Sequence, residues 1–224
     1  MTTNFILQAL LAIVPVIFAI TLHETAHGWA ALALGDTTAR DQGRLTLNPL
    51  KHIDRMGTII VPGILLISQL LTIGKVAFMF GWAKPVPVSA WKFPNPRRYM
   101  AIVALAGPAM NFFLACVTAL ALRGLANVNT GAWLITMLFD FILVNMVLGM
   151  FNLLPIPPLD GGRVVVGLLP EELARSWAHL ERYGLIIVLA CILVLPKVFG
   201  IDPIGDVLNN TIVPMALWLA GYHE

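Results

Sequence analysis

Three ionisable residues, His23, Glu24 and His27, stand inside the run FAITLHETAHGWAALAL, residues 18 to 34, which otherwise reads as the middle of a membrane helix. On a helix, positions i and i+4 share a face, so His23 and His27 can offer two imidazoles to one metal ion with Glu24 beside them. This is the pattern H-E-x-x-H, in which the histidines hold zinc and the glutamate handles protons while a metal-activated water attacks. Chance places it in roughly one chain in 400 of this length and composition. A charged residue at the centre of a membrane helix costs about 2.5 to 3.5 kcal/mol. Chemistry is therefore the expected reason for Glu24, ahead of the blander one, polar contacts between helices.

A hydrolytic zinc site needs three protein ligands and an open position for water, so a third ligand must come from elsewhere. The candidates are Asp140, His52 in LNPLKHID, and Asp160 in FNLLPIPPLDGGRV, residues 151 to 164. Asp160 has the best setting. Pro155, Pro157 and Pro158 cannot continue a helix, and Gly161 and Gly162 let the backbone turn, which holds the carboxylate on a fixed break. Asp140 lies in an uninterrupted apolar run, where such a residue is more often a contact between helices. His52 reads as an ordinary surface histidine near the membrane interface.

The elements that must position these groups are membrane helices. Of the 224 residues, 58% are apolar and 12% charged, whereas soluble domains carry about a quarter charged residues. A formal net charge of +2, with the basic residues in short clusters, excludes a nucleic-acid-binding face. Apolar runs of about 20 residues, enough to cross a bilayer, occupy 4–34, 99–122 and 131–154, with shorter or Pro-interrupted runs at 183–199 and 203–221. Residues 57–82 contain Pro62, Gly63, Gly74 and Gly81, are too short for two crossings, and are expected to dip into the membrane and return. The expected fold is an all-α integral membrane protein of five or six transmembrane helices, with a three-helix core and a re-entrant or membrane-associated extended segment. It forms one domain over 1–224, with a core of roughly 4–170 and C-terminal helices within 183–221.

Eleven basic residues, Arg40, Arg44, Lys51, Arg55, Lys84, Lys92, Arg97, Arg98, Arg163, Arg175 and Arg182, then share one side, with Arg123 and Lys197 opposite. By the positive-inside rule the crowded side is the cytoplasm. The expectation is a multi-pass protein of the inner (cytoplasmic) membrane, its site nearer the cytoplasmic face, its N-terminus outside and, after five crossings, its C-terminus inside. The N-terminal run lacks the features of a cleaved signal and is expected to be a retained helix. Cys116 and Cys191 have no metal or redox spacing and read as buried free thiols.

HETAH on a membrane helix, followed by GDTTARDQGRLTLNPLKHIDRMGT, GWAKPVPV, ALAGPAMN and FNLLPIPPLDGGR, resembles the site-2 protease family of intramembrane zinc metalloproteases, peptidase family M50, in its short prokaryotic form. The resemblance covers roughly residues 15 to 170. It implies that His23, His27 and Asp160 bind one zinc ion per chain and that Glu24 is the catalytic base. It also implies a core of the first, third and fourth helices, and a transmembrane protein as substrate, met within the lipid bilayer. Many relatives carry a PDZ or CBS domain and a helix ahead of the metal-binding one; neither is expected here.

Around this centre, Asn111 in AGPAMN and Asn152 in FNLLP could donate to a developing oxyanion or hold substrate backbone, or else bond one helix to another. A substrate helix must unwind to expose its peptide bonds. The extended stretch holding Trp82, Pro85, Val86, Pro87 and Val88 could offer an edge to such a segment, or be an interfacial loop anchored by Trp82 and Trp91. The competing function is a non-enzymatic zinc-binding membrane protein, a transporter or a degenerate protease acting as a binder. A transporter is expected to show related halves, and no repeat is visible; a degenerate protease is expected to have lost Glu24.

Overall fold

The computed structural model describes residues 2–75, 81–125 and 128–222, and every regular element among them is helical, with no strand. In chain order the α-helices are α1 (Thr2–Ala33), α2 (Thr38–Asp41), α3 (Val61–Ile73), α4 (Pro96–Gly124), α5 (Ala132–Asn152), α6 (Asp160–Leu168), α7 (Glu171–His179), α8 (Gly184–Leu189), α9 (Pro203–Val207) and α10 (Val213–Ala220). Among the described residues, four stretches are long and apolar enough to cross a membrane: Leu11–Ala33, Arg55–Thr72, Pro96–Gly124 and Ala132–Asn152. A fifth is reached if Glu171–Tyr183 and Ile186–Phe199, bent by 70°, count as one.

The helix ends are written locally. Pro96 takes the first position of α4, where its missing N–H costs nothing, and the Asn95 side chain accepts from the Arg98 N–H. α5 stops at Asn152 because Pro155, Pro157 and Pro158 cannot donate to a continuing ladder, and the chain resumes as α6 at Asp160.

α1, α4 and α5 pack on one another as the core. The Ala19 carbonyl oxygen of α1 lies 3.5 Å from Asn111 Nδ2, and that of Val103 lies 2.7 Å from His27 Nδ1, so α1 and α4 run antiparallel. Small residues let these helices approach: Ala115, Ala119 and Leu122 of α4 meet Ile142 and Met146 of α5, together with Ile212, Ala216 and Ala220 near the C-terminus. The opposite faces are apolar but exposed, as at Phe113, Val117 and Leu120, which is how a helix meets lipid. Cys116 lies exposed on that face and Cys191 is half-buried, so the expected burial of both free thiols is corrected.

The stretch Arg55–Thr72 is met at its own beginning by Trp82. Helix from Arg55 to Ile73 extends about 28 Å at 1.5 Å per residue, and the Trp82 N–H then donates to the Gly57 carbonyl at 3.1 Å. The Thr58 hydroxyl also donates to the Trp82 carbonyl at 3.0 Å. Trp82 thus stands beside the start of the helix that begins at Arg55.

The C-terminus requires a correction. The Arg123 guanidinium, at the end of α4, donates to the carbonyls of Trp218 and Leu219, the former at 2.5 Å and the latter at 2.8 Å. The last turn of α10 therefore lies at the end of α4 remote from Asp160, the same end at which α1 begins. Both ends of the described chain thus lie toward the same end of the α1/α4 core, against the expected opposite placement. The expected five crossings counted 183–199 and 203–221 as one each, whereas Ile186–Phe199 is bent by 70° against Glu171–Tyr183.

Candidate metal centre

His23 and His27 face α4, and each imidazole is held from behind by an acceptor. Nδ1 of His27 lies 2.7 Å from the Val103 carbonyl oxygen, which can only accept. Nδ1 of His23 lies 2.5 Å from Asn111 Oδ1. Both Nδ1 atoms therefore carry the proton, and both Nε2 atoms present lone pairs, 3.1 Å apart. Between these two α4 contacts, Gly107 lies directly against both rings. A Cβ there would stand 2.5 Å from Cε1 and Nε2 of His27 and 2.6 Å from Cε1 of His23.

The third group is Asp160, first residue of α6 and 7% exposed. Its Oδ2 stands 3.1 Å from Nε2 of His23 and 3.3 Å from Nε2 of His27. That oxygen is buried and receives no hydrogen bond, as expected if neither Nε2 has a proton to give. Three lone pairs thus converge on one point. A proton on one nitrogen would serve one contact, whereas a divalent cation serves all three. Zinc bonds of about 2.0 to 2.1 Å in a tetrahedron place ligands about 3.3 Å apart, close to the edges of this triangle. Among the described residues this is also the one group of three metal-ligating side chains within 4.8 Å of one another. The residues fit zinc.

Asp160 is placed there by the break before it. A Cβ at Gly161 would stand 2.3 Å and 2.4 Å from the carbonyl oxygens of Leu153 and Leu154, and one at Gly162 would meet Pro157 N at 2.7 Å. Only glycine lets α6 start this close to the end of α5. Gly161→Ala should therefore displace Asp160, since backbone cannot yield as a side chain can. We expect its zinc content after gel filtration to fall well below one ion per chain; full retention would contradict this.

Glu24 shares with the triad a cleft of about 350 Å3, whose wall includes Val86, Asn152 and Arg163. Its Oε2 accepts the Val86 N–H at 2.9 Å. Asn152 donates to the Leu148 carbonyl of its own helix at 3.0 Å. Arg163, at the rim, donates to Glu181 at 3.2 Å; the sequence had marked it only as a topological charge.

The segment holding Trp82, Pro85, Val86, Pro87 and Val88 is extended but pairs with no strand. The N–H groups of Trp82, Lys84 and Val86 go to Gly57 O, His52 O and Glu24 Oε2. Pro85 and Pro87 have none. The Trp82 carbonyl accepts from the Thr58 hydroxyl, and those of Lys84 and Pro85 accept from Arg44, so the edge next to Glu24 is the carbonyls of Val86 and Pro87.

The segment is moored by Asp36, just past α1 and 0% exposed. Burial alone would push the Asp36 carboxyl up. The Ser89 N–H, the Thr38 hydroxyl and N–H, and the Lys92 ammonium outweigh this and hold it down to about 2, from the usual 3.8. A depressed carboxyl stabilises the fold fully above pH 4 and loses that contribution as pH falls through 2, worth at most about 2 kcal/mol. Asp36→Asn should thus lower the unfolding temperature at pH 7 and flatten its fall between pH 4 and 2. An unchanged acid limb would contradict this.

One expectation needs revising, that for His52, and two open alternatives narrow. Asn111 is 0% exposed, with Oδ1 on His23 and Nδ2 on Asn145, so it has no group left for a substrate. His52 is 3% exposed, its Nε2 3.0 Å from the Thr46 carbonyl oxygen, because residues 46–57 fold back onto α1; it is not a surface histidine. Asp140 stays outside the donor cluster. The sequence also gave no sign of Gly107 against the rings or of Asn145 behind Asn111, since Gly and Asn within apolar helices have many ordinary uses.

A family model described as Peptidase family M50 matches residues 123–195. A Bacillus subtilis (strain 168) protein named "Putative zinc metalloprotease YwhC" is 39% identical over 186 residues, 79% of this chain and 77% of its own length. A Mycolicibacterium smegmatis protein named "Putative zinc metalloprotease Rip2" is 30% identical over 182 residues, 79% of this chain. Its counterpart in Mycobacterium tuberculosis (strain H37Rv) is 28% identical over 176 residues, 78% of this chain. The matched region spans 64% and 63% of these two mycobacterial proteins. No solved structure gives a significant match. With a 39%-identical relative matched over most of both chains, on an all-helical fold with membrane-length apolar helices, the chain belongs to the site-2 protease family of zinc metalloproteases, peptidase family M50.

Proposed function

We propose that the chain is an intramembrane zinc endopeptidase that cuts peptide bonds in or near transmembrane segments of other membrane proteins. His23, His27 and Asp160 would hold the ion, which when bound supplies a Lewis acid that acidifies water and polarises a carbonyl. Glu24 takes the proton from the attacking water and hands it to the leaving amine. Its carboxylate is oriented for this by the Val86 N–H. Asn152, on the cleft wall, donates to the developing oxyanion after leaving the Leu148 carbonyl. The Trp82, Lys84 and Pro85 carbonyls already accept from Thr58 and Arg44, so the carbonyls of Val86 and Pro87 receive N–H groups of the locally unwound substrate.

The basic residues flank the end of the core where α1 stops and α4 starts, so this face is cytoplasmic by the positive-inside rule. His27 and His23 lie about 9 and 15 Å from that end of α1 at 1.5 Å per residue. Both termini are then outside, in the cell inner membrane.

The observation that carries this reading is the triangle of two Nε2 atoms and one carboxylate oxygen, in one cleft with Glu24, between helices of membrane length. The test is co-expression with a panel of tagged single-span membrane proteins, comparing wild type with Glu24→Gln and mapping the ends of each product. Cleavage within or beside a span, by wild type alone, is expected. Products made equally by both forms, or by neither across a broad panel, would refute it.

A further inference from the structure

Behind His23 lies a chain of amides that the reaction as described does not use. Asn145 of α5 donates from Nδ2 to the Phe141 carbonyl of its own helix at 2.8 Å. Its Oδ1 accepts from Asn111 Nδ2 of α4 at 2.8 Å, and Asn111 Oδ1 faces Nδ1 of His23 on α1 at 2.5 Å. Both asparagines are 0% exposed. The polarity of this row is dictated from its far end, because a backbone carbonyl only accepts. That makes Asn145 present an oxygen to Asn111, which makes Asn111 present its own oxygen to His23, which puts the ring proton on Nδ1.

We propose that Asn145 is a positioning residue for the metal site: acting through Asn111, it selects the His23 tautomer whose Nε2 lone pair faces Asp160 and His27. The inference rests on the zinc reading above, but reaches a residue two hydrogen bonds behind His23, with no contact to ion or substrate. His27 needs no such device, since the Val103 carbonyl fixes its tautomer directly. His23 has only a side-chain amide, which could present either end. Besides Asn145, the acceptor on Asn111 Nδ2 is the Ala19 carbonyl, at the long distance of 3.5 Å; held by that weak contact alone, Asn111 could turn its Nδ2 toward His23, and the proton would move to Nε2, where it blocks ligation. Partners that orient a ligating histidine in this way are generally worth 10- to 100-fold in metal affinity.

Two variants separate this role from packing. Asn145→Leu keeps size and suits a membrane helix but removes the acceptor. Asn145→Asp keeps the acceptor for Asn111 Nδ2 while losing the bond to Phe141 and burying a carboxyl. The tautomer of His23 is read in metal-free protein by ring-nitrogen NMR with labelled histidine, and zinc affinity by chelator competition. Wild type and Asn145→Asp should show the proton on Nδ1. Asn145→Leu should show a mixture with Nε2–H and bind zinc about tenfold more weakly. A packing role alone predicts the reverse order, with Asp the more damaging, and that order would overturn the proposal, as would an unchanged tautomer in Asn145→Leu. If wild type bound no zinc, the functional reading would fail, while the tautomer comparison would still decide this one.

Discussion

Asp160→Asn is expected to weaken zinc binding more than a hundredfold and to abolish proteolysis with it. The bound is set by comparison: partners that merely orient a ligand cost 10- to 100-fold, and Asp160 contributes one of three donor atoms directly. The change also removes the only charge in the triangle, leaving two neutral imidazoles. Glu24→Gln should behave in the opposite way. Glu24 is outside the triangle, and glutamine can still accept the Val86 N–H, so zinc should stay at wild-type occupancy. What is lost is proton transfer, worth about 10²- to 10⁴-fold in rate. Zinc content and turnover measured on both variants should therefore separate cleanly. Zinc lost from Glu24→Gln, or kept in Asp160→Asn, would mean that the ligands are misassigned.

Gly107→Ala is expected to damage the metal site from a position that binds nothing. The new methyl would stand about 2.5 Å from both imidazoles, about 1 Å inside normal contact. Side chains ordinarily swing aside from such a clash, but these rings cannot do so freely. Moving either one breaks its bond to Asn111 or Val103, and with it the tautomer. Zinc affinity should fall by one to two orders of magnitude, with turnover following. Gly124→Ala, at the end of the same helix with open space around it, should leave both unchanged. Full zinc affinity in Gly107→Ala would show that the rings lie elsewhere.

The site was legible where its chemistry conflicted with its surroundings. Two histidines and a glutamate in an apolar helix carry an insertion cost that packing does not repay, and a proline-rich break ending in Asp-Gly-Gly is a poor helix with an evident use. The core of α1, α4 and α5 was legible for a similar reason, since three long apolar runs leave few alternatives. Gly107 and Asn145 were not, because their meaning depends on which neighbouring helix face they meet. His52 was misread because sequence does not reveal that residues 46–57 fold back on α1. The position of the C-terminus was misread because hydropathy counts the runs 183–199 and 203–221 as crossings and cannot see how they bend, as Ile186–Phe199 does by 70° against Glu171–Tyr183.

The central claim is that two imidazoles and one carboxylate hold a single ion beside Glu24. Zinc-edge X-ray absorption on the purified, singly loaded protein tests it most directly. The account predicts a four-coordinate ion with two imidazole nitrogens, the remainder oxygen and no sulfur, and loss of that signature in Asp160→Asn. Thiolate ligation through Cys116 or Cys191, fewer than two imidazoles, or a spectrum unchanged in Asp160→Asn would contradict it.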